Sequence, residues 1–143
     1  MSLFNKIDHL GIAVPDLQKA ITTYETLLGT PVESIEAVED QKVRTAFFSV
    51  GESHFELLEA MDESSPIARF LEKRPRGGLH HVCVEVDDLE EALAQYKAAG
   101  IRLIDEEPRI GAHQKRIAFV HPASTGGVLL ELSEKVKKDE VDD

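Results

Sequence analysis

The chain has 143 residues, 42% of them hydrophobic, and its 27 acidic and 16 basic residues give a formal net charge of −11. This length fits one domain, or two fused half-size units with a shared core, and the acidic balance excludes general nucleic-acid binding, which needs a basic surface. No apolar run approaches the roughly 20 residues that span a bilayer, and the N-terminus lacks a targeting pattern. Because a single cysteine fits a reducing compartment, we expect a cytoplasmic protein with no membrane partner.

The first half of the chain predicts a strand, a helix and two further strands. Apolar residues alternate with others over 9–14, which is typical of a half-buried strand. A helical stripe follows, with Asp16 near its N-terminus and Gly29 as its C-cap. Two later segments, at 43–50 and 53–60, have the composition and length of strands.

A short linking helix and a second set of elements follow. Ser65 and Pro66 are typical of a helix start, and the loop at 74–78 then leads into the second half. Alternation over 81–86 predicts another strand, and the helix after it is ended by Gly100. Further strands are predicted at 102–105, 115–121 and 127–133.

The second half of the chain repeats the first. Residues 9–20 (HLGIAVPDLQKA) match 81–92 (HVCVEVDDLEEA) at an offset of 72, and FELLE at 55–59 matches LELSE at 130–134 at an offset of 75. Agreement in order, type and spacing indicates an internal duplication. We therefore predict one domain over 1–143, with half-repeats at about 5–62 and 78–134 and a polar tail at 135–143.

Strand alternation gives a direction to four side chains that can bind a metal. The apolar residues of each strand face the layer under its helix, so the residues between them face the other way. Each half then presents one His and one Glu on that face: His9 with Glu56, and His81 with Glu131. A single such residue is more often structural, but the recurrence of the pair favours a metal site. His80, by contrast, is predicted to face the helix and to be structural.

If the halves pack with pseudo-twofold symmetry, the four side chains converge. Two imidazoles and two carboxylates suit one divalent first-row metal, such as Co, Ni, Mn, Zn or Fe(II). Four protein ligands leave open positions in an octahedral geometry, and substrate oxygens can take them.

These residues resemble the vicinal oxygen chelate superfamily, and among its members the methylmalonyl-CoA epimerases most. The resemblance covers about 4–134 and is most specific at 8–17 (DHLGIAVPDL), at 65–88, and at 110–132, where IGAHQKRIAFVHP is followed by GGVLLEL. It implies an α+β fold in which two tandem βαβββ units form a cup-shaped mixed β-sheet around a metal site, with the helices outside. The metal ligands of that family match His9, Glu56, His81 and Glu131.

The resemblance also implies an activity and its partners. The implied reaction interconverts (R)- and (S)-methylmalonyl-CoA by α-proton abstraction through a metal-stabilised enolate, which is isomerase chemistry. A small acyl-CoA is then the substrate, one divalent metal ion the cofactor, and a homodimer the expected assembly. Two alternatives stay open: a glyoxalase I-type lactoylglutathione lyase, which uses the same ligand set, and a non-catalytic small-molecule-binding member of the fold.

Inversion needs a proton carrier on each face of the substrate. Glu131 is one candidate, because a ligand carboxylate can lie beside the reacting carbon. The family places a glutamate before the strand at 43–50, and the alignment puts Asp40 there, with Glu39 adjacent. A further Glu of some members is replaced here by Thr45, and some members carry Gln in place of the first-half Glu ligand. A polar turn without a catalytic role is equally consistent with Glu39 and Asp40.

The phosphates of CoA need a local basic patch on this acidic protein. One candidate cluster consists of Lys73, Arg74 and Arg76, which precede the second His strand. The other consists of Lys115 and Arg116. Either cluster offers charge and hydrogen-bond donors to a phosphate, and a solvated surface loop is the alternative for both.

Overall fold

Strands and helices follow one another in the order that the internal repeat predicts. The computed structural model describes residues 2–136, so residues 137–143 of the predicted polar tail lie outside the described residues. The strands are β1 (Phe4–Ala13), β2 (Ser34–Val38), β3 (Val43–Val50), β4 (Ser53–Ala60), β5 (Gly78–Val86), β6 (Arg109–Ile110), β7 (Arg116–Val120) and β8 (Leu130–Glu134). The helices are α1 (Leu17–Leu28), α2 (Pro66–Lys73) and α3 (Leu89–Ala98). No helix within 2–136 combines the length and the apolar character that crossing a membrane requires.

The chain divides into two compact units. One unit consists of His9–His81, and the other contains the described residues up to Asp8 and from Val82 to Val136. The order βαβββ occurs once from β1 to β4 and again from β5 to β8, with α2 between the two sets. The α+β class with two tandem βαβββ sets is therefore confirmed.

The strands of the His9–His81 unit are ordered β2-β3-β4-β1. β1 and β4 run parallel, whereas β2 with β3 and β3 with β4 are antiparallel. Helix α1 begins after Asp16, whose side chain accepts a hydrogen bond from the backbone N–H of Lys19, and ends at Gly29 with φ 69°, as predicted. Its apolar stripe packs on a core whose buried members are Val14, Leu17, Ile21, Ala46, Phe48 and Leu57.

The other unit repeats this arrangement with the order β5-β8-β7-β6. β5 and β8 are parallel and the remaining pairs antiparallel. Asp88 caps α3 by accepting the N–H of Glu91, just as Asp16 caps α1. The core of this unit consists of Val84, Val86, Leu89, Ala92, Leu93, Ala118, Val120 and Leu132.

The parallel strand pairs of the two units have equivalent registers. In the parallel pair of the first unit Gly11 lies opposite Glu56, and in that of the second Cys83 lies opposite Glu131. These positions are related by the same offsets of 72 and 75 that relate the two halves of the sequence. The repeat therefore preserves the backbone pairing around each Glu as well as the sequence.

Each unit joins its helix to its sheet through a carboxylate. Oε2 of Glu59 accepts the N–H of Leu17 at 2.8 Å, and Oε2 of Glu134 accepts the N–H of Leu89 at 3.0 Å. The first N–H groups of a helix have no partner within the helix, and the helix dipole favours negative charge there. The same contact thus fixes the start of α1 and of α3.

Two strand predictions need correction, and two further strands were not predicted. The strand expected at 102–105 is a single bridge between Leu103 and Val120, because the side chain of Asp105 accepts the N–H of Phe119 where a ladder would use a strand carbonyl. The strand expected at 127–133 begins at Leu130, after a turn in which Gly127 has φ 94°. β2 and β6 were not predicted: β2 is half-exposed and β6 has only two residues, so neither has a clear apolar pattern.

Candidate metal centre

Three of the predicted ligands meet inside the His9–His81 unit. His9 in β1, Glu56 in β4 and His81 in β5 are only 7%, 4% and 5% exposed. Oε1 of Glu56 lies 3.0 Å from Nε2 of His9 and 3.4 Å from Nε2 of His81, and the two Nε2 atoms are 3.0 Å apart. The register explains the meeting, because Glu56 pairs with Gly11, two residues after His9 on the parallel neighbour strand.

The chemistry of this donor set fits a divalent cation. The three ligand atoms lie within 4.8 Å of one another in buried surroundings, and imidazole with carboxylate suits first-row metals. Burial raises the pKa of Glu56, but attraction to His9 and hydrogen bonds from His81 and His9 outweigh it and hold this pKa below its ordinary value. Glu56 is therefore a carboxylate anion, the form in which it can bind metal.

Gly11 allows the ring of His81 to occupy its position. A Cβ on residue 11 would overlap the imidazole of His81 at three of its ring atoms, Cε1, Nδ1 and Nε2. The backbone conformation does not require glycine at this position, since Gly11 is not among the positive-φ residues. The absence of a side chain at Gly11 is therefore what allows the imidazole to lie there.

Gly11→Ala is expected to lower the free energy of unfolding by about 1–3 kcal/mol, as overpacking of a full core does, and to weaken metal binding because His81 must move. Gly51→Ala is the control: nothing lies within 4 Å of its Cβ position, so it carries only the cost of φ 61°. Chemical denaturation and titration with Zn²⁺ measure both effects. Equal Zn²⁺ affinity in the two variants would show that Gly11 does not position His81.

Glu131, the fourth predicted ligand, lies in the other unit. It is 6% exposed in β8, opposite Cys83 on one side and Phe119 on the other. Its pairing positions on the two neighbouring strands are thus equivalent to those of Glu56 in the first unit. Its roles as metal ligand and proton carrier stay predictions.

The residues of the predicted second proton carrier lie in a turn. Asp40 belongs to a 3-10 helix, Glu39–Gln41, directly before β3, and its side chain is exposed. Thr45 is fully buried, and its Oγ1 donates a hydrogen bond to the carbonyl of Glu36 at 3.1 Å. Thr45 therefore has a structural role, and the assignment of Asp40 stays a prediction.

The two basic clusters differ in their partners. The guanidinium of Arg116 donates to Glu90 and Glu134, at 2.5 and 3.1 Å, and Nζ of Lys115 lies 3.2 Å from Asp8. Carboxylates therefore neutralise this cluster within its own unit, which disfavours it as a phosphate site.

The other cluster keeps its charge. In the described part of the chain, no carboxylate is in ion-pair contact with Lys73, Arg74 or Arg76. All three side chains are exposed. The guanidinium of Arg74 lies over the ring of Phe70, 5.3 Å from its centroid, which holds it at the end of α2.

The sequence predictions missed two aromatic residues beside the carboxylates. Phe47 pairs with Glu56 across β3 and β4, and Phe119 pairs with Glu131 across β7 and β8. Both rings are buried, and that of Phe47 meets the ring of His9 edge-on at 6.4 Å. The offset of 72 that relates the two Phe residues would have revealed them. Since Glu56 and Glu131 are 75 positions apart in the sequence and the two Phe residues only 72, the three extra residues of the second half lie between β7 and β8.

Sequence and structure comparisons agree along most of the chain. The profile of the Glyoxalase/Bleomycin resistance protein/Dioxygenase superfamily matches residues 8–119. The mitochondrial methylmalonyl-CoA epimerase of Homo sapiens is 42% identical over 129 residues, which are 90% of this chain and 73% of that protein. The ethylmalonyl-CoA/methylmalonyl-CoA epimerase of Cereibacter sphaeroides is 41% identical over 133 residues, 92% of this chain and 99% of that one. The crystal structure of methylmalonyl-CoA epimerase from Mycobacterium tuberculosis matches with a TM-score of 0.92 and 38% identity, covering 99% of this chain and 95% of that one.

Proposed function

The chain belongs to the glyoxalase/bleomycin resistance/dioxygenase superfamily and, within it, to the methylmalonyl-CoA epimerases, and from this premise we propose that it interconverts (R)- and (S)-methylmalonyl-CoA. The observation that carries the proposal is the buried cluster of His9, Glu56 and His81 in a chain 42% identical to one such epimerase over 90% of its length. A non-catalytic binding protein has no use for this cluster. The epimerase relatives favour this activity over that of glyoxalase I.

The proposed metal ligands are His9, Glu56, His81 and Glu131. The first three support the proposal by their convergence, and Glu131 by its equivalence to Glu56 in the repeat and in the strand register. When bound, a divalent cation acts as a Lewis acid toward the thioester and carboxylate oxygens of the substrate and stabilises the negative charge that develops there. Co, Ni, Mn, Zn and Fe(II) all suit these donors.

The protein's own carboxylates would move the proton. Glu131 would accept the α-proton on one face of the substrate, and the carboxyl group of Asp40 would return a proton on the other face. Removal followed by return to the opposite face inverts the carbon, and the reverse reaction exchanges the two roles. Phe47 and Phe119, both buried, pair with Glu56 and Glu131 on the neighbouring strands and would limit the access of water to these two glutamates.

Deuterium exchange tests the proposed reaction. The protein is stripped with a chelator, reloaded with Co²⁺ or Zn²⁺, and incubated with (S)-methylmalonyl-CoA in D2O. We expect the α-carbon to gain deuterium and the (R) epimer to appear only with metal-loaded protein. No deuterium uptake after reloading would overturn the proposal, and turnover of the methylglyoxal–glutathione adduct would favour glyoxalase I.

We propose that Lys73, Arg74 and Arg76 hold the phosphates of CoA. They form an exposed basic cluster on a chain of net charge −11, and no carboxylate within 2–136 pairs with them, whereas the other cluster is neutralised by Glu90, Glu134 and Asp8. Guanidinium groups bind phosphate through paired, charge-assisted hydrogen bonds.

The double variant Arg74→Gln, Arg76→Gln is expected to raise KM for methylmalonyl-CoA by about tenfold or more, since a hydrogen bond to a charged group contributes about 1.5–3 kcal/mol, and to leave kcat unchanged. Methylmalonyl-pantetheine lacks the nucleotide phosphates, so its KM should not change. Arg102→Gln, at an exposed arginine of the other unit, is the matched control. An equal loss with both substrates would show that the cluster does not bind phosphate.

We also propose that the protein acts in the cytoplasm as a homodimer. Cys83 is its one cysteine, is buried and forms no disulfide, which fits a reducing compartment, and the dimer is an expectation from the family. Light scattering should give about twice the 15.9 kDa of one chain. A mass near 15.9 kDa at micromolar concentration would contradict the dimer.

A further inference from the structure

Two neighbouring histidines of β5 meet through their ring nitrogens. Nδ1 of His80 lies 2.9 Å from Nδ1 of His81, with the rings nearly perpendicular at 89°. Consecutive strand residues point to opposite faces, but Nδ1 is the ring nitrogen nearer the backbone, so two such atoms can approach. His81 therefore uses both ring nitrogens: Nδ1 contacts His80, and Nε2 faces Glu56 and His9.

This contact bears on which nitrogen of His81 carries the proton. A neutral imidazole has one N–H donor and one nitrogen acceptor. For Nε2 of His81 to bind a metal beside Glu56, its lone pair must be free, so the proton must be on Nδ1. Nδ1 of His80, 2.9 Å away, is placed to accept that N–H, and a neutral His80 that accepts at Nδ1 carries its own proton on Nε2.

His80 is itself held in place by the linking helix. The ring of Phe70 in α2 meets the ring of His80 edge-on, with centroids 5.2 Å apart and planes at 80°. Arg74 covers the ring of Phe70. On another side, the backbone of Gly11 lies against the imidazole of His81. His81 is thus fixed in position by Gly11 and in orientation by His80.

We propose that His80 is a positioning residue for the metal centre: its Nδ1 accepts a hydrogen bond from Nδ1–H of His81 and so presents Nε2 of His81 as a ligand. This inference rests on the proposed metal centre. Removing the group that holds the outer nitrogen of a metal-binding imidazole typically weakens metal affinity by 10–100-fold.

Two variants of His80 separate this role from simple packing. His80→Leu fills similar space without an acceptor, and it is expected to weaken Co²⁺ affinity, measured against a competing chelator, by about tenfold or more. His80→Asn offers an amide oxygen near the place of Nδ1, and it should restore affinity close to wild type. His113→Leu, at an exposed histidine of the other unit, is the control and should bind Co²⁺ like wild type.

Nuclear magnetic resonance of the Zn²⁺-loaded protein gives a second readout. With Nε2 of His81 on the metal, its Nδ1–H should be protected from exchange with solvent in the wild type and in His80→Asn, and it should exchange faster in His80→Leu, which lacks the acceptor. Wild-type affinity and equally slow exchange of Nδ1–H in His80→Leu would overturn the inference and leave the metal centre intact. Failure of the wild type to bind Co²⁺ would overturn both.

Discussion

Glu131→Gln is expected to lower the rate of epimerisation by about 10²–10⁴-fold, the usual contribution of a positioned acid–base group. Glu56→Gln, the same change at the equivalent position of the repeat, is expected to retain most of the activity. An amide oxygen can bind a metal in either place, but only Glu131 is proposed to carry the proton. Some members of the family have Gln at the position of Glu56, which agrees with this difference.

The two variants control for each other, because both exchange one buried carboxylate for an amide on a parallel strand. Zn²⁺ affinity and epimerisation are measured for each after equal metal loading. A Glu131→Gln variant that binds Zn²⁺ and keeps full activity would remove Glu131 from proton transfer. Loss of activity in proportion to loss of metal, in both variants alike, would make Glu131 a ligand only.

Asp40→Asn is expected to reduce inversion by about 10²–10⁴-fold while leaving a distinctive partial reaction. Glu131 can still remove the proton of the epimer whose α-hydrogen faces it, but nothing can return a proton on the other face. That epimer should therefore gain deuterium from D2O without changing configuration. The other epimer should neither exchange nor invert.

Chiral analysis and mass spectrometry of each epimer, incubated separately, measure this uncoupling. Glu39→Gln is the matched control, since Glu39 lies in the same exposed turn and should retain inversion. Loss of inversion in Glu39→Gln with normal activity in Asp40→Asn would move the second base to Glu39. Normal inversion in both variants would exclude the turn from proton transfer.

The elements that the sequence predicted well are those with a dense apolar pattern. β3 and β4 have the predicted bounds, 43–50 and 53–60, because each contains a run of consecutive buried side chains, at 45–48 in β3 and at 56–58 in β4. α1 begins and ends as its caps Asp16 and Gly29 indicate. β2 could not be found in this way, since an edge strand needs few apolar side chains and is fixed by pairing with β3.

The candidate site shows which contacts sequence patterns alone cannot predict. Alternation and the repeat singled out His9, Glu56 and His81, and the structure brings these three together. The direction predicted for His80 ignored that Nδ1 lies close to the backbone, so its contact with His81 was missed. Gly11 could not be recognised either, because its importance depends on the ring that lies against it in space.

The spacing of two glutamates in β4 has a consequence for how this protein can change in length. Glu56 faces the histidines, and Glu59, three residues later, holds the start of α1 from the opposite face. An inserted or deleted residue between them would misplace one of the two, and Glu131 and Glu134 impose the same condition on β8. The β7–β8 connection lies outside both pairs of glutamates, so its length is not fixed by their spacing. It already contains the three extra residues of the second half. Insertions in that connection, in evolution or by engineering, therefore leave both pairs of glutamates in place.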